Sequence, residues 1–257
     1  MNETQRKKVS EEILQIKEAC TRGPAPEGDD APEWTRDGVE SAGEFFDGTA
    51  HLWDVRWGAT YEFLHTATAK QIPKTHDPVS ILDVGCGTGL ELEHIFRRAP
   101  NARVTGLDQS PRMLSELRGK YADRSDQITL IEASCVDWPE KLTDFDFALS
   151  ILTLHHFPPE TKQAIYANIR SSLKSEGTYI EGDQMVRTEI ESECLQLYRS
   201  WIARLPDGEL GAWNYDIRLS PDTNRRLIVD AGFRNCEKVW DDGDGGWDGH
   251  AVLVARA

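Results

Sequence analysis

Positive charge is scarce in this chain. Of its 257 residues, 29 are Lys or Arg against 44 Asp or Glu, a formal net charge of −15. A protein that grips nucleic acid carries a basic face to neutralise phosphates. The only basic runs here are Arg6-Lys7-Lys8, Arg97-Arg98 and Arg225-Arg226. The balance argues against nucleic acid and favours a small partner that is neutral or cationic. Cysteine is sparse too: five residues, an odd number, with no C-x-x-C spacing. That pattern excludes a disulfide framework and a thiolate metal cage, and it reads as reduced packing residues. No apolar run approaches the ~20 residues that span a bilayer. The N-terminal stretch lacks the apolar core of a signal peptide, so a cytoplasmic, non-membrane protein is expected. Length and a 39% hydrophobic content fit one α/β domain with small additions.

The stretch 79–89, Val-Ser-Ile-Leu-Asp-Val-Gly-Cys-Gly-Thr-Gly, is the most informative part of what is present. It reads as a buried strand turning through three glycines into a helix near Leu90. Such a unit sets free backbone N–H groups and a positive helix end beside a cleft. A dinucleotide fingerprint needs its third glycine three positions after the second, but position 90 is Leu90 and the glycine comes early, at Gly89. A phosphate-binding loop needs a lysine, and none follows. A carboxylate at Asp83 repels a pyrophosphate and pairs with a cationic amine. The implied cofactor carries an adenosine and an ammonium group but no phosphate.

Asp83-Val-Gly-Cys-Gly-Thr-Gly89 resembles motif I of the class I S-adenosylmethionine (SAM)-dependent methyltransferases. The resemblance runs from about Phe45 to the C-terminus. Asp83 is then expected to hold the methionine ammonium, while Gly85, Cys86, Gly87 and Gly89 let the backbone approach the cofactor. A second strand at 103–107 ends at Asp108, about twenty residues past the loop, where an acid can accept hydrogen bonds from ribose hydroxyls. Ser110 and Pro111 supply an N-cap and first helical residue. The resemblance puts Gln109 and Met113 near the adenine. At the position of Ser134, where relatives commonly carry an acid, this chain departs from the pattern; Ser134 and Cys135 are expected to border the ring. Asp137 is either a replacement adenine acid or a solvated turn residue. A strand at 145–150 resembles the family's post-strand motif, and the resemblance implies backbone near Ser150 and Ile151 against the methionine part of SAM.

His155 and His156 follow that strand. Adjacent residues on a turn diverge and no H-x-x-x-H or Cys pair stands nearby, so no metal centre is expected. His155 is the candidate general base, with packing of the strand corner as the alternative. Phe46, Trp53 and Tyr61 lie in a segment resembling the pre-core cover of small-molecule methyltransferases.

The organisation expected is an N-terminal helix over 1–20, a Pro- and Gly-rich linker within 1–37, and a methyltransferase domain over 38–257. The helix is a candidate dimer contact. Alternating strands and helices predict a Rossmann-like, seven-stranded, mostly parallel α/β sheet with helices on both faces and an antiparallel C-terminal strand. The strand at 178–182 is expected to follow a turn at Lys174-Ser-Glu-Gly177. Residues 184–219 form a lid insertion, where Trp201, Trp213 and Tyr215 are candidate acceptor contacts and Arg199 and Arg218 candidate carboxylate binders. The acidic loop 241–248 does not meet the EF-hand pattern and reads as a hairpin loop. The resemblance implies methyl transfer from SAM to a small-molecule acceptor by in-line displacement. It also extends to enzymes that modify the tRNA wobble uridine or make carboxy-SAM. A silent SAM-binding scaffold subunit is the reading from a different class.

Overall fold

The computed structural model describes residues 41–202, 215–243 and 249–257. The N-terminal helix and linker, Trp213, most of the 241–248 loop and the side chain of Trp201 lie outside the described residues. Short helices α1 (Ala42–Thr49), α2 (Trp53–Trp57) and α3 (Glu62–Ala69) precede the sheet. Strands and helices then alternate: β1 (Ser80–Val84), α4 (Leu92–Arg98), β2 (Arg103–Asp108), α5 (Pro111–Lys120), β3 (Ile128–Glu132), β4 (Phe145–Ile151), α6 (Pro159–Ser172) and β5 (Leu173–Gln184). Helices α7 (Thr188–Ile202) and α8 (Pro221–Asp230) and the pair β6 (Asn235–Asp241) and β7 (His250–Arg256) complete it.

The sheet order is β3-β2-β1-β4-β5-β7-β6, with β7 antiparallel to both of its neighbours. This is the Rossmann-like arrangement expected from the alternating pattern. The order reverses between β1 and β4, so the loops leaving their carboxyl ends diverge and open a crevice. No described helix is long and apolar enough to cross a membrane.

Side-chain alternation along each strand decides which chemistry faces which helix. In β1, Leu82 and Val84 enter the core under α6 and α8, whereas Ile81 packs with Phe63, Leu64 and Ile95 of α3 and α4. Asp83 shares the parity of Ile81 and so points to the α3/α4 face. In β5, Tyr179 lies on the α6/α8 side, and Glu181 and Asp183 follow it there at period two. Gly182 falls between them because a Cβ would stand 2.1 Å from Thr68 Oγ1.

Helix α6 lays Lys162, Ile165, Tyr166 and Ile169 on one buried stripe. Lys162 is fully buried, and its Nζ donates to Asn224 Oδ1 at 3.0 Å. The Tyr166 hydroxyl donates to Glu181 Oε2 at 2.8 Å. Burial pushes the Glu181 carboxyl up to about 7, against the pull of Lys162. This polar layer backs the end of β5 that carries Asp183.

Two boundaries differ from expectation. Strand β5 begins at Leu173, without the turn expected at 174–177, because Leu173 pairs with Phe145 and the register shifts before Phe147. The helix after the glycine loop starts at Leu92, two residues late, because Gly89 N–H bonds to Cys86 O and Leu92 N–H to Gly89 O in tight turns.

Candidate active site

The loop after β1 hangs from β2: Gly85 and Cys86 both donate backbone N–H groups to Leu107 O, at 2.7 and 3.1 Å. Gly85 has φ +72°, and a Cβ there would lie 2.3 Å from Thr153 Cγ2. Glycine is therefore required twice over, by backbone conformation and by the approach of the β4 loop. Asp108 ends β2 facing this loop. Its Oδ2 accepts the Gly87 N–H at 2.9 Å and its Oδ1 the Ser110 N–H at 2.8 Å. Each carboxylate oxygen retains a second lone pair. Burial raises the Asp108 pKa, opposed by these backbone donors. Ser110 caps α5 through Met113 N–H, with Pro111 in the first turn.

These elements border a cavity of about 480 Å³. Its lining includes Asp108, Gln109, Met113, Ser134, Cys135 and Asp137, the loop residues Gly85, Cys86, Gly87 and Gly89, and Ile151. Ser150 is not on the wall. Its hydroxyl is buried 2.7 Å from Tyr179 OH on the far side of the strand, so Ile151, Leu152 and Thr153 present the wall instead.

Asp83 lies beneath the wall and is 1% exposed, with Oδ2 lacking any hydrogen-bond partner. Glu91 lies beside it and shares a hydrogen bond with it. Burial first, and then the neighbouring Glu91, push the Asp83 carboxyl well above the usual range; burial also raises Glu91. His65 of α3 sits 3.8 Å from Glu91, with neither ring nitrogen hydrogen-bonded. Burial lowers its pKa to about 3. Both Glu91 and His65 line the cavity. Three buried polar side chains thus converge on one end of it with unsatisfied atoms: Asp83 Oδ2, Glu91 Oε1 and both His65 nitrogens. Buried groups of this kind require a partner. The α-amino-acid tail of SAM, with its ammonium donors and carboxylate acceptors, fits that donor and acceptor set. Sequence reasoning found Asp83 but missed Glu91 and His65; the position of Glu91, two residues past Gly89, was the only available signal.

An aromatic row closes the cavity from the pre-core helices. Phe46 meets Trp53 at 5.4 Å, Trp53 meets Trp57 at 6.2 Å and Trp57 meets Tyr61 at 5.6 Å, all on the wall. Trp57 was not foreseen. Two carboxylates fasten the row to the core. Asp47 accepts from Ser110 Oγ at 2.9 Å and pairs with Arg112 at 3.2 Å. Asp54 accepts from Thr88 Oγ1 at 2.5 Å and pairs with Lys120.

His155 is not on the cavity wall. Its ring is buried with Nδ1 2.5 Å from Asp183 Oδ1, and its backbone N–H donates to Asp183 Oδ2 at 2.9 Å. The direct contact with the methyl-transfer pocket expected of it is therefore corrected, because the carboxylate on β5 draws the ring inward. His156 borders the cavity instead. The two rings do not diverge either: their centroids are 4.0 Å apart and both face Asp216. Tyr215 and Tyr198 reach the cavity. Arg218 pairs with Asp216 at 2.8 Å, and Arg199 is exposed on α7, so neither stands on the wall as a carboxylate binder. Beside the acidic loop, Asp242 is committed to the hairpin, accepting from the His250 N–H at 3.0 Å.

A reversed strand order, a glycine loop at the crevice and an acid closing β2 define a Rossmann-like site for an adenosine-bearing cofactor. Residues 81–177 match a family described as a methyltransferase domain. That stretch is similar to SAM-dependent methyltransferase domains; the chain is a SAM-dependent methyltransferase and its cofactor is SAM. It is 24% identical over 187 residues to a carboxy-S-adenosyl-L-methionine synthase of Wolinella succinogenes, spanning 68% of this chain and 75% of that protein. It is 38% identical over 104 residues to a trans-aconitate 2-methyltransferase of Rhodopseudomonas palustris, a match covering 38% of this chain and only 39% of the relative. In fold it is similar to the DhpI-SAM-HEP complex (TM-score 0.62, 18% identity, 85% of this chain and 100% of that one). Human N-acetylserotonin methyltransferase in complex with SAM is also similar in fold (TM-score 0.61, 15% identity, 95% and 66%).

Proposed function

We propose that the enzyme methylates a small, flat, neutral or cationic acceptor. The observation that carries this reading is the cavity wall: it holds Phe46, Trp53, Trp57 and Tyr61, and among the described residues it holds no lysine or arginine. Aromatic faces favour apolar and cationic groups, whereas a di- or tricarboxylate needs cationic partners. The acceptor thus differs in class from the acid named for the trans-aconitate relative.

Bound SAM supplies a methyl group on a cationic sulfonium. The residues of this chain position and exclude water. Asp83 and Glu91 take the ammonium end, and His65 offers a ring N–H to the carboxylate. Asp108 accepts from the ribose hydroxyls while bracing the glycine loop. Gln109, Met113, Ser134 and Cys135 border the adenine. The row Trp53, Trp57 and Tyr61 covers the cofactor and, with Tyr215, holds the acceptor. Residues 38–257 act as one catalytic domain and 184–219 as its lid, in a cytoplasmic setting.

The test is release of S-adenosylhomocysteine across a panel of aromatic amines, phenols, quaternary amines and polycarboxylic acids. Turnover confined to the first three classes is expected, and preferential turnover of polycarboxylates overturns the reading. The long alignment with a carboxy-SAM synthase favours one alternative, modification of SAM itself. Mass spectrometry of the cofactor after incubation distinguishes it, because methyl transfer yields no carboxylated SAM.

A further inference from the structure

We propose that His155, His156 and Asp216 form a binding site for one first-row divalent transition-metal ion in the wall beside the acceptor side of the cavity. The three side chains come from two segments: His155 and His156 from the turn after β4, and Asp216 from the irregular stretch 215–220 of the lid region. Asp216 Oδ1 lies 3.6 Å from His155 Nε2 and 3.7 Å from His156 Nδ1, and all three ligand atoms fall within 4.8 Å of one another. These separations are too long for hydrogen bonds. They are close to the spacing of ligand atoms around a tetrahedral ion, about 3.4 Å for bonds of about 2.0–2.1 Å.

The orientation of His155 is a second, independent observation. Asp183, fully buried, holds Nδ1 at 2.5 Å, and it is itself fixed by the backbone N–H groups of His155 and Gln184 at 2.9 and 2.8 Å. A proton on Nδ1 shared with Asp183 leaves a lone pair on Nε2, the atom facing Asp216. This is the carboxylate–histidine arrangement that orients metal-bound imidazoles. Nε2 and Asp216 Oδ1 therefore face each other across a 3.6 Å gap that a metal ion can bridge.

The surroundings permit one. Arg218 bonds Asp216 through Oδ2 at 2.8 Å and leaves Oδ1 to the histidines. The charge of Lys162 nearby is faced by Glu181. His156 Nδ1 also lies 3.4 Å from Tyr215 O, long enough to yield. Two imidazole nitrogens and one carboxylate select Zn²⁺, Co²⁺ or Fe²⁺ over Mg²⁺ or Ca²⁺, which prefer all-oxygen shells. Since His156 and Tyr215 line the cavity, a bound ion would tie the Tyr215–Asp216 segment to the ends of β4 and β5.

The test uses the full chain, stripped with a chelator and titrated with Zn²⁺ by calorimetry and with Co²⁺ by visible absorption. One equivalent is expected, with Co²⁺ bands stronger than those of the aqueous ion. Asp216 is partly exposed, so Asp216→Asn tests the ligand without emptying the core; at least a tenfold loss of affinity is expected, with SAM affinity unchanged. Asp183→Asn never touches the ion, and it is expected to weaken metal binding by about 10–100-fold. Absence of a Co²⁺ spectrum overturns the proposal and leaves a protonated His155 bridging Asp183 and Asp216. Equal metal affinity in wild type and both variants also overturns it, placing the ion elsewhere on this acidic chain.

Discussion

Gly87 and Asp108 are joined across the crevice: the loop N–H donates to the Oδ2 of the acid that ends β2, at 2.9 Å. The acid proposed to hold the ribose is therefore also a strut. Its other oxygen holds Ser110, the cap of α5. Loop, strand end and helix start are fixed by one side chain.

Replacing that strut has two expected consequences. Asp108→Ala removes the acceptor of two part-buried N–H groups, at up to about 1–3 kcal/mol each, and with it the proposed ribose contacts. Chemical denaturation should show the stability loss and calorimetry at least a tenfold loss of SAM affinity. Asp108→Asn keeps one acceptor oxygen and should fall between. Unchanged affinity in the alanine variant would exclude the ribose role.

Gly85→Ala combines a positive φ with a Cβ 2.3 Å from Thr153. A left-handed conformation costs an alanine about 1–2 kcal/mol, and the contact adds to it. The double variant with Thr153→Ala should recover only part of the contact cost, because the Cβ at 153 would itself stand 2.9 Å away, and keep the conformational part, measured as urea midpoints. Full recovery in the double variant would show that the backbone conformation is not constrained.

His65 supplies a pH signature. Its folded pKa is lowered to about 3 by burial, from an ordinary 6.5. Below pH 6.5 the unfolded chain takes up a proton that the folded chain refuses. The stability associated with the neutral ring is therefore complete above 6.5 and declines as pH falls toward 3. Between pH 7 and pH 5 the loss is about 2 kcal/mol. His65→Gln should flatten that part of the stability profile; an identical slope in the variant would contradict the burial of the neutral ring.

Asp83 carries the opposite sign. Burial and Glu91 raise its pKa, so folding is penalised as pH climbs through the range where the unfolded carboxyl ionises. Asp83→Asn should stabilise the protein at neutral pH while weakening SAM and leaving adenosine affinity nearly intact. Equal loss for adenosine and SAM would remove Asp83 from the ammonium site.

Asp54 tests the cover. Asp54→Ala frees α2 from Thr88 and Lys120. Because the ion pair is partly exposed, thermal stability should change by less than about 1 kcal/mol. SAM affinity should drop severalfold as the Trp53 row loosens, and no drop would mean that the row does not close on the cofactor.

Local rules decided much of this protein from sequence alone. The glycine loop, the acid about twenty residues on, the Ser110-Pro111 helix start and the alternation of β and α units each rest on backbone geometry within a few residues. Strand parity even assigns Asp83 and Asp183 to opposite faces of the sheet once the strands are known. Tertiary structure decided what local rules do not reach. His65 and Glu91 meet Asp83 only because α3 packs over the β1 face, and Trp57 joins the wall only through the clamps at Asp47 and Asp54. His155 reads as a pocket residue from its place after β4, but Asp183, brought alongside by strand pairing, turns it inward. The physical reason is common to these cases: each depends on a contact between segments far apart in the chain, set by which strands lie adjacent, and a charge buried by such a contact leaves no mark in the local pattern.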